Sequence, residues 1–119
     1  MGRVITTDLG VVSISKEVIA TLAGMAATEC YGIVGMVSSR IFSDGISELL
    51  GREALSKGVE VAEKDDELYI KVNIVVGYGT KISVIAANVM EKVQYTVERY
   101  TGIVVNRVEV NIQGVRVVD

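Results

Sequence analysis

The sequence contains no histidine, no tryptophan and no proline, and its single cysteine is Cys30. Without histidine, a Ser-His or Cys-His catalytic pair is impossible, and the commonest metal ligand is missing. One cysteine cannot close an internal disulfide, which favours a reducing compartment. We therefore expect no enzymatic activity, no metal and no cofactor, and we interpret Cys30 as a small core residue.

Concentrated charge and long apolar runs are also scarce. The chain has 12 basic and 15 acidic residues, a net charge of −3, and the basic residues are spread singly. Binding that depends on neutralising nucleic-acid phosphates is therefore not expected. No apolar run approaches the ~18 residues of a membrane helix. The first eight residues do not resemble a signal peptide, so these absences predict a cytoplasmic protein.

Half of the 119 residues are apolar, which is enough for one compact domain over residues 1–119. Their spacing predicts two helices, from Ser15 to about Cys30 and from Thr80 to about Tyr100, with Ser15 and Thr80 as N-caps. Period-two alternation predicts four strands: Gly10–Ile14, Val59–Lys64, Leu68–Val76 and Ile103–Ile112. Residues 33–37 are compatible with a short strand or an apolar loop, and a short helix is predicted over residues 47–55. The sequence therefore predicts an α/β two-layer sandwich, with both helices on one face of a small mixed sheet.

The same patterns predict three details of the sheet and helices. Tyr69, Lys71 and Asn73 should lie on the side of the sheet that faces water. The alternation of apolar residues shifts by one after Gly114, which predicts a bulge or bend there. The apolar stripes of the two helices should be buried: Val18, Ile19, Leu22, Ala26 and Cys30 in the first, and Ile82, Ile85, Ala86, Val89, Val93, Val97 and Tyr100 in the second.

Two glycine-containing segments allow a functional alternative, a small nucleotide- or RNA-binding module. Gly77, Gly79, Thr80 and Lys81 lie between a predicted strand and a predicted helix, where a phosphate-binding loop would lie. The Walker and dinucleotide-binding spacings are missing, however, so a tight turn is the simpler interpretation. Gly32–Gly35 has the GxxG spacing of a KH domain, but its inner residues are apolar, which favours a buried turn.

A contact surface for another protein is predicted in the less regular middle of the chain. Its residues are apolar, and Phe42, the only phenylalanine, is flanked by Arg40 and Ser43. Apolar and aromatic side chains rimmed by polar groups are typical of contact surfaces. The predicted residues are Ile33, Val34, Met36, Ile41 and Phe42, and the alternative is that they close one end of the core.

Five segments of the sequence together resemble the alkaline-shock-protein family of Gram-positive-type bacteria, also called the general-stress or envelope-stress-response family. These segments are residues 10–19, 29–36, 58–61, 76–82 and 101–110. The resemblance implies a non-catalytic cytoplasmic protein of cell-envelope homeostasis, with no established active-site residues. It also implies indirect membrane association through an anchor protein. Independently of the resemblance, a small apolar domain whose sheet has an edge to cover predicts action by association, as a homo-oligomer or as an adaptor for a protein partner. The chain ends just after its last predicted strand, as expected for a short member without a tail.

Overall fold

The structure is a computed structural model that describes residues 3–38 and 49–117, with the backbone alone at residues 52 and 53. Two helices are present, α1 (Lys16–Thr28) and α2 (Ile82–Thr101), together with a short 3₁₀ helix (Arg52–Gly58). The strands are β1 (Arg3–Thr7), β2 (Gly10–Ile14), β3 (Ile33–Met36), β4 (Val59–Lys64), β5 (Glu67–Gly77) and β6 (Arg107–Arg116).

Strand β5 is the centre of a four-stranded mixed sheet. It pairs in parallel with β6 along nearly its whole length. Strand β4 pairs antiparallel with residues 67–72 of β5, and β3 pairs antiparallel with residues 74–76. Because β6 takes one edge of β5, β3 and β4 must follow one another along the other edge. The predicted hairpin of β4 and β5 is confirmed, and its turn residues Asp65 and Asp66 both have positive φ.

Both helices contribute to one core on a single face of this sheet, which confirms the predicted two-layer α/β architecture. The sheet contributes a fully buried row from β5: Leu68, Ile70, Val72, Ile74 and Val76. Helix α2 contributes Ile85, Val89, Val93 and Val97 to the same core. This alternation in the strand and three-to-four spacing in the helix are the periods expected of elements buried on one side.

Helix α1 begins as predicted, because the Ser15 hydroxyl accepts a hydrogen bond from the Val18 backbone N–H at 3.2 Å. Its buried side is made largely of small residues, including Ala20, Ala23, Ala26 and Ala27. Small side chains allow the helix to approach its neighbours closely. The prediction for Val18 was wrong, since this side chain is exposed.

Helix α2 ends as predicted at Gly102, which has a left-handed conformation and donates its N–H to the Glu98 carbonyl. The predicted cap at its start was wrong. Thr80 does not cap the helix; its hydroxyl donates to the Gly77 carbonyl at 2.6 Å, and Lys81 occupies the cap position without a side-chain bond. The predicted stripe is also too long, because Ile82 and Tyr100 at its two ends are exposed.

Strand β6 begins later than predicted, at Arg107. Ile103 and Val105 are buried, but they lie in the segment that connects α2 to the strand. The predicted irregularity near Gly114 is confirmed: the pairing register with β5 shifts between Ile112 and Gly114.

The less regular middle contains a strand and a 3₁₀ helix. Of the two alternatives for residues 33–37, the strand is confirmed by the pairing of β3 with β5. The 3₁₀ helix overlaps only the end of the predicted helix over residues 47–55, and residues 47 and 48 lie outside the described part.

Candidate functional site

Cys30, the one cysteine of the chain, is a potential nucleophile. It is half-buried at the end of α1, and its thiol lies 3.6 Å from the Ala26 carbonyl and 3.9 Å from the Asn88 carbonyl. Burial raises the pKa of Cys30 above its ordinary value, with Lys92 opposing and Glu29 adding to the shift. A thiol with a raised pKa is a poor nucleophile at neutral pH. Within residues 3–38 and 49–117, no group of three or more acidic or cysteine side chains could hold a metal ion.

The predicted ligand loop, Gly77 to Lys81, is a tight turn whose amides are largely engaged inside the protein. The N–H of Gly77 donates to the Gly32 carbonyl at 3.0 Å, and that of Tyr78 donates to the Arg116 carbonyl at 2.7 Å. The N–H of Thr80 donates back to Gly77, while Gly79 has the positive φ of a turn glycine. A phosphate cradle needs such N–H groups to point at the ligand. The structure therefore favours the turn interpretation of this loop.

The Gly32–Gly35 segment forms the start of β3. Gly32 has a φ of +90°, and a Cβ atom built there would lie 2.4 Å from the Ile85 Cδ1 atom of α2. A Cβ at Gly35 would lie 3.1 Å from Leu49 Cδ2. Both glycines therefore allow close packing. The predicted buried turn was wrong for most of the segment, because Ile33 to Gly35 lie in strand β3.

The residues of the predicted contact surface lie in different environments. Met36 is 0% exposed and belongs to the core, so its assignment to a surface was wrong; its place on β3 turns it towards the helices. Ile33 packs against the core and Val34 is half-buried. Ile41 and Phe42 lie outside the described residues. The contact surface remains a prediction for Ile33, Val34, Ile41 and Phe42.

The face of the sheet opposite the helices carries a shallow depression of about 430 Å³. Neighbouring strands place Glu60, Lys71 and Glu109 in one row across it, and the Lys71 ammonium lies 3.9 Å from Glu109. Arg107 and Tyr69 form the next row. The Tyr69 hydroxyl donates to Glu67, and this bond, with burial and nearby carboxylates, raises the Tyr69 pKa. Opposite charges alternate here, which gives a polar but nearly neutral surface.

Asn73 lies on the same face but is buried, contrary to the prediction that it faces water. It is only 2% exposed, and its amide nitrogen donates to the Gly58 carbonyl at 3.2 Å. Its side-chain oxygen accepts bonds from Asn111 and Gln113, each at 3.2 Å. The Val37 N–H donates to its backbone carbonyl, so the chain just after β3 continues beside β5. Period-two alternation could not predict the burial of this side chain, because its partners Gly58, Asn111 and Gln113 come from distant segments.

Two exposed tyrosines flank the junction between β3 and the glycine turn. Tyr31 directly precedes Gly32, and Tyr78 directly follows Gly77, whose N–H bonds to the Gly32 carbonyl. Both side chains are largely exposed, and Ile82 at the start of α2 is 42% exposed. The sequence predictions included neither tyrosine as a contact residue. Each stands beside a glycine, and Tyr78 follows the apolar run that ends at Val76.

The described residues thus define a two-layer α/β domain whose surface carries balanced charges and exposed tyrosines, and whose cysteine remains a neutral thiol at neutral pH. The chain belongs to the alkaline shock protein 23 family, described as having a cell envelope-related function, and the family model matches residues 4–117. This confirms the resemblance to the alkaline-shock family.

Several relatives match nearly the whole chain. It is 49% identical to the uncharacterized protein YloU of Bacillus subtilis (strain 168) over 111 residues, which cover 93% of this chain and 92% of the relative. It is 38% identical to the uncharacterized protein Spy1614 of Streptococcus pyogenes serotype M6, covering 96% and 94%. The uncharacterized protein YqhY of Bacillus subtilis is 36% identical, covering 92% and 80%. No solved structure matches the chain significantly.

Neither α1 nor α2 could span a membrane: within the described ranges, no helix combines the necessary length and apolar character.

Proposed function

We propose that this protein serves the cell envelope without catalysis of its own, by binding another protein. The family supplies the link to the envelope. The main support for binding another protein is the exposed pair Tyr31 and Tyr78 at the junction of β3 and the glycine turn. Tyrosine is enriched at protein interfaces because it offers a large apolar area together with a hydrogen-bonding hydroxyl.

The surroundings of this pair suit a contact surface. Val34 lies beside Gly77, since its Cγ2 atom would be 3.9 Å from a Cβ at that position. Lys81 and the exposed Ile82 follow along the turn and the first residue of α2. We call Tyr31, Val34, Tyr78 and Ile82 the tyrosine surface. An apolar and aromatic centre beside a charged side chain is the usual composition of a specific interface.

The proposal gives the protein an adaptor role, with a protein partner that links it to the inner face of the membrane. The balanced charges of Glu60, Lys71 and Glu109 on the open sheet face support a protein partner over an anionic lipid surface, because a lipid surface attracts clustered lysine and arginine. Ile41 and Phe42, which lie outside the described residues, stay part of the proposed contact region.

The test is affinity capture from the native cell with the purified full-length chain as bait. We expect a defined envelope-associated protein to be captured by the wild type and lost with a Tyr31→Ala/Tyr78→Ala double variant. Tyr100→Ala, which removes another exposed tyrosine at the far end of α2, is the matched control and should capture normally. Equal capture by all three baits, or none by the wild type, would contradict the proposal.

A further inference from the structure

Strands β1 and β2 form a hairpin that is separate from the main sheet. They pair with each other in register from Arg3↔Ile14 to Thr7↔Gly10, and in the part of the chain that the structure describes neither pairs with β3 to β6. We call residues 3–14 the N-terminal arm. Its base is fastened to the body by an ion pair between Arg3 and Glu63, and by a bond from Arg3 to the Asp66 carbonyl at 2.6 Å.

The arm exposes apolar side chains along its length. Leu9 at its tip is 100% exposed, and Val11 is 63% exposed. The pairing register places Val4 and Val11 on one face, whereas Ile5 and Ile14 on the other face pack partly against the core. An isolated two-stranded hairpin is marginally stable in water, and three or more strands are normally needed for a stable sheet. Packing on the core supports only the face with Ile5 and Ile14, so among the described residues the face with Val4 and Val11 and the outer edge of β2 have no neighbour.

The edge of β2 is not protected against pairing with another strand. Edge strands usually carry charges or proline that prevent such pairing. Strand β4 has Glu60, Glu63 and Lys64, and β6 has Arg107, Glu109 and Arg116. In contrast, no charged residue and no proline occurs from Leu9 to Ser15, and β2 contains Val11, Val12 and Ile14. The outer edge of β2 is therefore better suited than the edges of β4 and β6 to accept a second strand.

We propose that the N-terminal arm is the surface on which two copies of this chain associate, by antiparallel pairing of β2 with β2 of the second copy. This inference goes beyond the proposed function, since the arm shares no residue with the tyrosine surface. A two-fold axis at Val12 pairs all five residues of the strand: Val12 lies opposite Val12, Val11 opposite Ser13, and Gly10 opposite Ile14. No charge meets a like charge in this register.

A second copy is the occupant that these observations favour. An isologous two-fold contact needs a self-complementary patch, and the short uncharged strand provides one. The two arms then form one continuous four-stranded sheet. This sheet has the three or more strands that a stable sheet normally needs, which a single hairpin does not have. On one face of this sheet, the exposed Val4 and Val11 of the two copies form a larger apolar area.

The first experiment is sedimentation velocity on the full chain over a range of concentrations. We expect the wild type to dimerise and Val12→Lys, which places two like charges at the two-fold axis, to weaken dimerisation by about tenfold or more, the equivalent of ~1.4 kcal/mol. Val104→Lys is the matched control, because Val104 is 66% exposed and lies outside the arm. A wild type that stays monomeric, or a dimer that Val12→Lys leaves unchanged, would overturn the arm proposal.

The second experiment tests the register and does not depend on the folding of the lysine variant. In directly opposite antiparallel residues the Cα atoms lie about 4.5–5.5 Å apart, within the range for a disulfide. Val12→Cys in a Cys30→Ser background should therefore form a covalent dimer on mild oxidation, whereas Val104→Cys should not. Equal cross-linking of both variants would overturn the proposal. The capture experiment with the tyrosine variants addresses a different surface, so the proposed function can fail or stand independently of the arm.

Discussion

The side chain of Asn111 donates a hydrogen bond to the side-chain oxygen of Asn73 at 3.2 Å, across the parallel pair of β5 and β6. Gln113, one residue before the glycine at the register shift, donates to the same oxygen. The shift in β6 thus accompanies a buried polar network that also reaches the Gly58 carbonyl.

We expect Asn73→Ala to destabilise the protein by about 1–3 kcal/mol, because it leaves buried hydrogen-bonding groups without a partner. The measurement is the free energy of unfolding by urea denaturation. Asn88→Ala, at an exposed position on α2, is the control and should change stability by less than about 0.5 kcal/mol. Equal effects of the two substitutions would contradict the role assigned to the network.

Comparing Gly32→Ala with Gly79→Ala separates two ways in which replacing a glycine destabilises a protein, backbone strain and steric overlap. Both residues have nearly the same φ, +90° and +91°, so both substitutions carry the strain of a left-handed residue, about 1–2 kcal/mol. Only at Gly32 does a Cβ collide with Ile85, whereas at Gly79 nothing lies within 4 Å. We expect Gly32→Ala to lower thermal stability more, by a further ~1–3 kcal/mol of overpacking. Similar melting temperatures for the two variants would refute the close contact with α2.

Ile70→Asp should prevent folding, since Ile70 is buried in the middle of β5 and the aspartate would have no partner charge. The total stability of a domain is only about 5–15 kcal/mol, so an unpaired buried charge can exceed it. Ala62→Asp in the paired strand β4 is exposed on the open face and should remain folded. Circular dichroism of the two variants is the measurement, and a folded Ile70→Asp variant would show that the helices do not cover this residue.

The thiol of Cys30 should react slowly. Because burial raises its pKa, less thiolate is present at any given pH than for an exposed cysteine. We expect iodoacetamide at mildly alkaline pH to modify wild-type Cys30 more slowly than the cysteine of Val104→Cys in a Cys30→Ser background. The folded state binds the thiol proton of Cys30 more tightly than the unfolded state does. The free energy of unfolding should therefore fall as the pH rises from the unfolded-state pKa of Cys30 through its folded-state pKa. Faster alkylation of Cys30 than of the control would indicate a reactive thiol.

Local patterns predicted most elements of this fold, because their signals act over a few residues. The Ser15 cap, the Gly102 helix end and the β4–β5 hairpin depend on hydrogen bonds and dihedral angles close in sequence. The exposure of Val18 and the burial of Asn73 depend instead on what other segments cover. Periodicity alone does not contain that information.

The candidate site was predictable only in part, for the same reason. Residues 33–37 were correctly recognised as apolar, but the pairing of β3 with β5 takes Met36 into the core. The exposed tyrosines at 31 and 78 become neighbours only through the bond between Gly32 and Gly77. Strand β2 of the arm was predicted from its alternation, but the separation of the arm from the main sheet is a tertiary property.

The position of β5 has a consequence for the cooperativity of unfolding. Since β3, β4 and β6 each pair with β5 and, among the described residues, none of these pairs with another, no sheet pairing in the body survives if β5 detaches. The amide hydrogens of residues 68–76 should therefore exchange with deuterium only when the whole body unfolds, and they should be the slowest in the protein. The amides of residues 3–14 should exchange much earlier in the monomer, since the arm can open without disturbing β5.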